Sequence, residues 1–110
     1  MGSDDMRSIV YRYTGVMASS TEIGTLISRT PGIRGGRPCI AGTAVSVRRI
    51  AQWYNMGLIP EEIMRKFGHL SLAQIHAALA YYHANKPEID DDLEAEETRT
   101  LLLEEQHKRQ

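Results

Sequence analysis

Cysteine is nearly absent. Cys39 stands alone among 110 residues, so neither an internal disulfide nor a zinc site built from cysteines can form within one chain. A reducing cytoplasm is the expected setting. Long apolar runs are missing as well, and none approaches the ~20 residues that span a bilayer. The start, Met1-Gly2-Ser3-Asp4-Asp5, has no basic segment followed by an apolar one and does not read as a secretory signal. One Trp, one Phe and five Tyr leave a modest, mainly aliphatic core. The length suits one small domain rather than a two-domain enzyme. Such domains are often marginal alone, so a homodimer is the default expectation.

What is present is a charge asymmetry. Thirteen basic and 14 acidic residues give a net charge of -1, but the two signs are segregated. Residues 1–87 hold ten Arg or Lys against five Asp or Glu, and residues 88–110 hold three against nine. A basic body with an acidic tail points to an anionic partner, a masking tail or a second protein. A solvated helix after an ordinary domain has the same composition.

Ile9–Tyr13 is β-branched and aromatic and reads as a strand or arm. Ser19-Ser20-Thr21 can cap a brief helix that Gly24 soon stops. Leu26-Ile27-Ser28 reads as a second short strand, ended by Thr30-Pro31-Gly32. A glycine- and arginine-rich loop follows, and then Cys39-Ile40 and Thr43–Val47, whose Ala41-Gly42 separation predicts a tight hairpin. From Val47 the period becomes helical: Val47, Ile50, Ala51 and Tyr54 form one apolar face, and Gly57 ends it. Pro60 suits a first helical position, with Glu61 and Glu62 in the first turn and Gly68 beyond the end. Ser71 and Gln74 fit a capping box opening a third helix to about Asn85, which Lys86-Pro87 closes. Residues 88–110 read as an acidic linker and a final helix. The predicted architecture is mainly α with short β-strands. A small β-hairpin or arm region precedes a three-helix, helix-turn-helix-like unit and a C-terminal helix, divided at 1–25, 26–87 and 88–110.

No constellation points to catalysis, a metal or a cofactor. Gly36 and Gly42 have five residues between them and no following Lys, unlike a nucleotide-binding loop. His69, His76 and His83 recur every seven residues, so on one helix neighbours stand about 10 Å apart, too far to share an ion. Cys39, on an apolar strand, reads as a small buried hydrophobe, and a hydrolase built on it is a remote alternative.

The helical arrangement carries the functional expectation. A short helix, a turn at Gly68 and a capped third helix have the dimensions of a helix-turn-helix, whose second helix enters the major groove. That places Gln74, Ala77 and Tyr81 toward bases with Ala73 and His76 beside them, because Gln can bridge adenine and Ala permits close approach. The third helix has no Arg or Lys before Lys86. Positive charge for phosphate contacts therefore falls to Arg34 and Arg37 of the loop and to Arg48, Arg49, Arg65 and Lys66. Three helices packing a core without touching DNA fit the same pattern.

Several stretches together carry a resemblance: Pro31-Gly32-Ile33-Arg34-Gly35-Gly36-Arg37-Pro38, Ile40-Ala41-Gly42-Thr43, Val45-Ser46-Val47, Gly57–Ile63, Leu70-Ser71-Leu72 and Ala77–Tyr82. In order and spacing they resemble the DUF433 family over roughly Leu26 to Asn85. The resemblance implies a winged-helix or homeodomain-like unit in a bacterial antitoxin-like protein paired with a PIN-like nuclease toxin. Two positions depart from the family pattern: Ala44 follows Thr43 where an arginine is common, and Ile59 precedes Pro60 where a polar cap is common. Under this reading the body binds operator DNA, and the tail meets a basic toxin surface through the acidic run Asp90–Glu97 and the apolar anchors Leu93, Leu101, Leu102 and Leu103. The alternative is a protein-interaction or dimerisation module that does not bind DNA.

Overall fold

The structure, a computed structural model, describes residues 20–109; the arm at Ile9–Tyr13 lies outside them. A single 3-10 turn, Ile23–Leu26, opens the described chain, closed where the Thr25 amide and hydroxyl both donate to the Glu22 carbonyl. Strand β1 (Ile27–Arg29) pairs antiparallel with β2 (Pro38–Ile40), setting Ile27 opposite Ile40 and Ser28 opposite Cys39. The intervening loop turns left-handed at three consecutive residues, with φ of 48° at Arg34, 65° at Gly35 and 79° at Gly36. Glycine takes that conformation freely, whereas Arg34 takes it at a cost.

The hairpin is therefore not the one the sequence predicts. Thr43–Val47 does not form the second strand, and one bridge, Cys39 to Ser46, is what survives of that pairing. The reason is a competing role for Ser46. Its hydroxyl accepts from the Arg49 amide at 3.1 Å and caps helix α1 (Val47–Asn55), which takes Val47 out of extended backbone. Thr43 completes the turn by donating to the Ile40 carbonyl and accepting from the Val45 amide.

Helix α2 (Pro60–Phe67) begins at its proline as expected. Ile59 supplies no side-chain cap, but Glu62 Oε1 accepts from the Ile59 amide at 3.1 Å, so half of a capping box remains. Gly68, at φ 70°, ends the helix. Ser71 and Gln74 form the full box at the start of α3 (Leu72–Ala84): the Gln74 amide donates to Ser71 Oγ, and the Ser71 amide donates to Gln74 Oε1.

The tail departs most from expectation. No linker follows α3. Asn85 breaks the helix at φ -133°, ψ 39°, and its carbonyl then accepts from the Ile89 amide to start α4 (Lys86–Arg109), a continuous 24-residue helix. Pro87 falls in the first turn of α4, where an amide proton has no intrahelical acceptor to lose, so the proline opens a helix rather than ending order. The first part of α4 folds back onto the domain. Ile89, 1% exposed, joins the core of Ile40, Ile50, Ile63, Ile75 and Tyr82, and Leu93 packs at its edge. From Glu97 to Arg109 every residue is exposed.

Candidate interaction surfaces

The arginine loop and the start of α1 come together around one hollow of about 360 Å³, lined by Arg34, Arg48 and Arg49 with Ser46 and Glu96. Arg34 is fixed by its own Nε, which donates to the Ala44 carbonyl at 2.9 Å. Ala44 thus contributes its backbone oxygen here. Arg37 is held by Nη1 on the Arg34 carbonyl, so the left-handed turn orients two guanidinium groups at once.

The acidic helix occupies part of this basic face. Asp92 accepts from Arg37 Nε at 2.7 Å and from Arg48 Nη1 at 3.2 Å, and Glu96 lies 3.3 Å from Arg48 Nη2. Burial raises the affinity of the Asp92 carboxyl for its proton, but the Arg37 hydrogen bond and the Arg48 charge outweigh it and hold the group below the usual carboxylate range. The hydrogen bond to Asp92 likewise raises the Arg37 pKa. Nearer the helix start, Glu88 pairs with Arg29, which also donates to the Tyr81 hydroxyl. Tyr82 donates to Asp90 at 2.7 Å and accepts from Asn55 at 3.1 Å. Four acidic residues of the tail thus meet the body, and three of the body's arginines are paired by them.

The α3 positions expected to face bases have varied surroundings. His76 is exposed. The Gln74 side chain is engaged in the capping box. Ala77 is 4% exposed and lies beneath the N-terminal turn, in a hollow shared with Ile23, Ile27 and Tyr81. None of these four lines the arginine hollow. Arg49 stands apart from the ion-paired set. It hydrogen-bonds Gln52 and lies 5.0 Å from the Trp53 ring centre, which Lys66 approaches at the same distance, so the indole bridges two cations.

A second surface lies along α4. Leu101, Leu102 and Leu103 are 58%, 57% and 59% exposed. Leu101 lines a groove of about 600 Å³ between α1 and α4 whose other walls include Met56, Leu93, Glu94 and Glu97, while Leu102 lies toward Asp91, Thr98 and Arg99. Asp92 and Glu96, in the acidic run expected from the sequence to meet a partner, instead pair with arginines of the same chain, and Trp53 and Met56 are surface positions to which the sequence assigns no role. The first two share the helical face of Ile89 and Leu93, and that spacing was the available signal. Among the described residues, no group of three or more His, Cys, Asp or Glu side chains is placed to hold a metal ion. His83 instead packs edge-on to Tyr54, and His69 Nδ1 meets the Phe67 carbonyl. No helix among the described residues is long and apolar enough to cross a membrane.

The family described as "Protein of unknown function (DUF433)" matches residues 27–82, from β1 to the buried Tyr82. The chain belongs to the DUF433 family. A DUF433 member protein from Anabaena variabilis ATCC 29413, solved by crystallography at 2.00 Å, is similar in fold. The TM-score is 0.59 at 22% identity, covering 81% of this chain and 82% of the other. Among curated proteins no match is found. The matched region of this DUF433 chain includes the arginine loop and all of α1 and α2, and it stops before α4 begins. The clamp made by Asp92 therefore joins the family region to a helix outside it.

Proposed function

We propose that this DUF433 chain is a non-catalytic protein-interaction module of the cytoplasm, with the exposed half of α4 as its binding element. One observation carries the reading: three consecutive leucines, each more than half exposed, on a helix half that is exposed throughout. Leu101 lines the groove, and Leu102 and Leu103 continue the exposed apolar surface around the helix. That much exposed apolar surface in one turn marks a contact surface rather than ordinary scatter. In the full chain, Leu101→Ser with Leu102→Ser and Leu103→Ser is expected to abolish association, read as hydrodynamic mass and as co-purification with the product of the adjacent reading frame. The α4 dock, centred on Ile89 and Asp92, stays intact in that variant, so helix content should hold. Unchanged association of the variant would overturn the reading.

A second reading, an operator-binding antitoxin-like regulator paired with a PIN-like toxin, is favoured by the α2–Gly68–α3 geometry and the arginine hollow. It requires DNA to compete with Asp92 and Glu96 for Arg37 and Arg48. Mobility-shift titrations at several salt concentrations test it, because phosphate contacts release counterions. Binding that weakens steeply with salt and tightens in Asp92→Asn supports the regulator; no binding at low salt removes it.

A further inference from the structure

The groove between α1 and α4 joins an apolar floor to an acidic rim. Met56 is 65% exposed there, Leu93 and Leu101 lie along it, and Asp90, Glu94 and Glu97 stand around it with Arg49 as the cation opposite. An occupant must therefore bring apolar side chains followed by positive charge. The chain's own end has that composition and order: Leu101-Leu102-Leu103, then His107-Lys108-Arg109 in the last turn of α4.

We propose that the occupant is a second copy of this chain, packed antiparallel along α4 about a two-fold axis near Leu102. This rests on the reading of the exposed half of α4 as a protein-binding element and names its partner. In an antiparallel pair, residues equally distant from the axis lie level with one another. The acidic stretch Glu94–Glu97 then runs beside the partner's His107–Arg109, and Arg99 runs beside the partner's Glu104 and Glu105. A parallel pair would instead set Glu94–Glu97 against its own like charges, which is unfavourable. Leu101, the leucine of the triplet that lines the groove, sits beside the axis and meets the partner in the same way from both copies, as a closed two-fold interface requires. Glu97–Arg109 alone makes a contact only about 20 Å long at ~1.5 Å per residue. With the axis at Leu102 the partner's Arg109 lies level with Ala95, so each helix end runs along the Glu94–Glu97 rim and adds the mouth of the groove to the interface.

The test is sedimentation equilibrium on the full chain with a charge-reversal pair. The parent is expected to be a dimer. Lys108→Glu with Arg109→Glu should weaken association about tenfold or more at low salt. Adding Glu94→Lys and Glu97→Lys to that variant should restore it, because the complementarity is rebuilt with its signs exchanged. Far-UV circular dichroism on each variant confirms that α4 is intact. A monomeric parent overturns the proposal, as does a dimer indifferent to both substitutions or one the second pair fails to rescue. A monomeric parent whose leucines bind the neighbouring gene product would leave the interaction reading standing while removing the self-pairing, so the two failures are distinguishable.

Discussion

Asp92→Asn tests the docking of α4 at its most charged point. The carboxylate accepts from Arg37 at 2.7 Å and Arg48 at 3.2 Å while its side chain is 24% exposed, so solvent screens the pair incompletely. Hydrogen bonds to charged groups contribute about 1.5–3 kcal/mol each when buried, and exposed pairs contribute ~1 kcal/mol or less. Arg48 keeps Glu96 at 3.3 Å, which limits the damage. The expected loss is about 1–2 kcal/mol, a sizeable part of the ~5–15 kcal/mol typical of a whole domain. Urea unfolding followed by circular dichroism and Trp53 fluorescence reads it. The pH dependence fixes the cause. A carboxylate whose pKa is lowered in the folded state contributes stability fully above its unfolded pKa of ~3.9 and loses it as pH falls through the folded value. The gap between parent and Asp92→Asn should therefore be constant near neutrality and shrink below about pH 4. Asp91→Asn, exposed one position earlier, is the control and should change stability by less than about 0.5 kcal/mol. A gap under about 0.3 kcal/mol at pH 7, or one that persists unchanged in acid, would refute the clamp.

Other substitutions probe different joints of the fold. Ile89→Ala should cost about 2–4 kcal/mol in urea unfolding, because it opens a cavity where α4 meets the core; a loss below about 1 kcal/mol would mean α4 is not docked. Gly35→Ala should cost about 1–2 kcal/mol, since φ there is +65° and a Cβ would lie 3.1 Å from Arg37 Nη1; calorimetry should register a lower melting temperature. Ser71→Ala removes one half of the α3 capping box and should cost about 1 kcal/mol by the same unfolding assay. Cys39 is 3% exposed, and burial raises its thiol pKa against the partial opposition of Arg34 and Arg37. A thiol reagent at neutral pH should label it only in denaturant, and rapid labelling of the folded chain would contradict that burial.

What the sequence made legible was local. The Ser71–Gln74 box, Pro60 at a helix start and Gly68 beyond a helix end each depend on neighbours within about one turn and appear as read. Of the Val47/Ile50/Ala51/Tyr54 stripe the first three are buried and Tyr54 is 37% exposed. The strand pairing was not legible, because two helical and extended uses of Ser46 compete and the helix cap prevails. Nor was the docking of the tail. Pro87 suggests a break when read alone, yet it also suits the first turn of a new helix, and only the burial of Ile89 against residues up to fifty positions earlier decides between them. Among the candidate site residues, Arg34, Arg48 and Arg49 converge, while Gln74 and Ala77 are taken up by a cap and by packing. Nothing local distinguishes an alanine that approaches a base from one that accepts a neighbouring turn.

The charge asymmetry changes meaning for the same reason. Counted along the chain, body and tail look like two surfaces for two partners of opposite sign. In the fold, Arg29, Arg37 and Arg48 spend their charge on Glu88, Asp92 and Glu96, so segregation in sequence serves attraction within one molecule. Exposed charge of both signs remains in each part: Arg34, Arg49, Arg65 and Lys66 with Glu61 and Glu62 on the body, and Glu94, Glu97, Glu104 and Glu105 with Arg99, Lys108 and Arg109 along the projecting helix. A polyanion approaching the body meets fewer available cations than the composition implies, and gaining more means lifting α4 from its dock. A protein approaching the projecting helix meets leucines with no such internal competitor. That difference in what must first be broken, rather than the net charge of either part, is the ground on which the proposed protein partner rests.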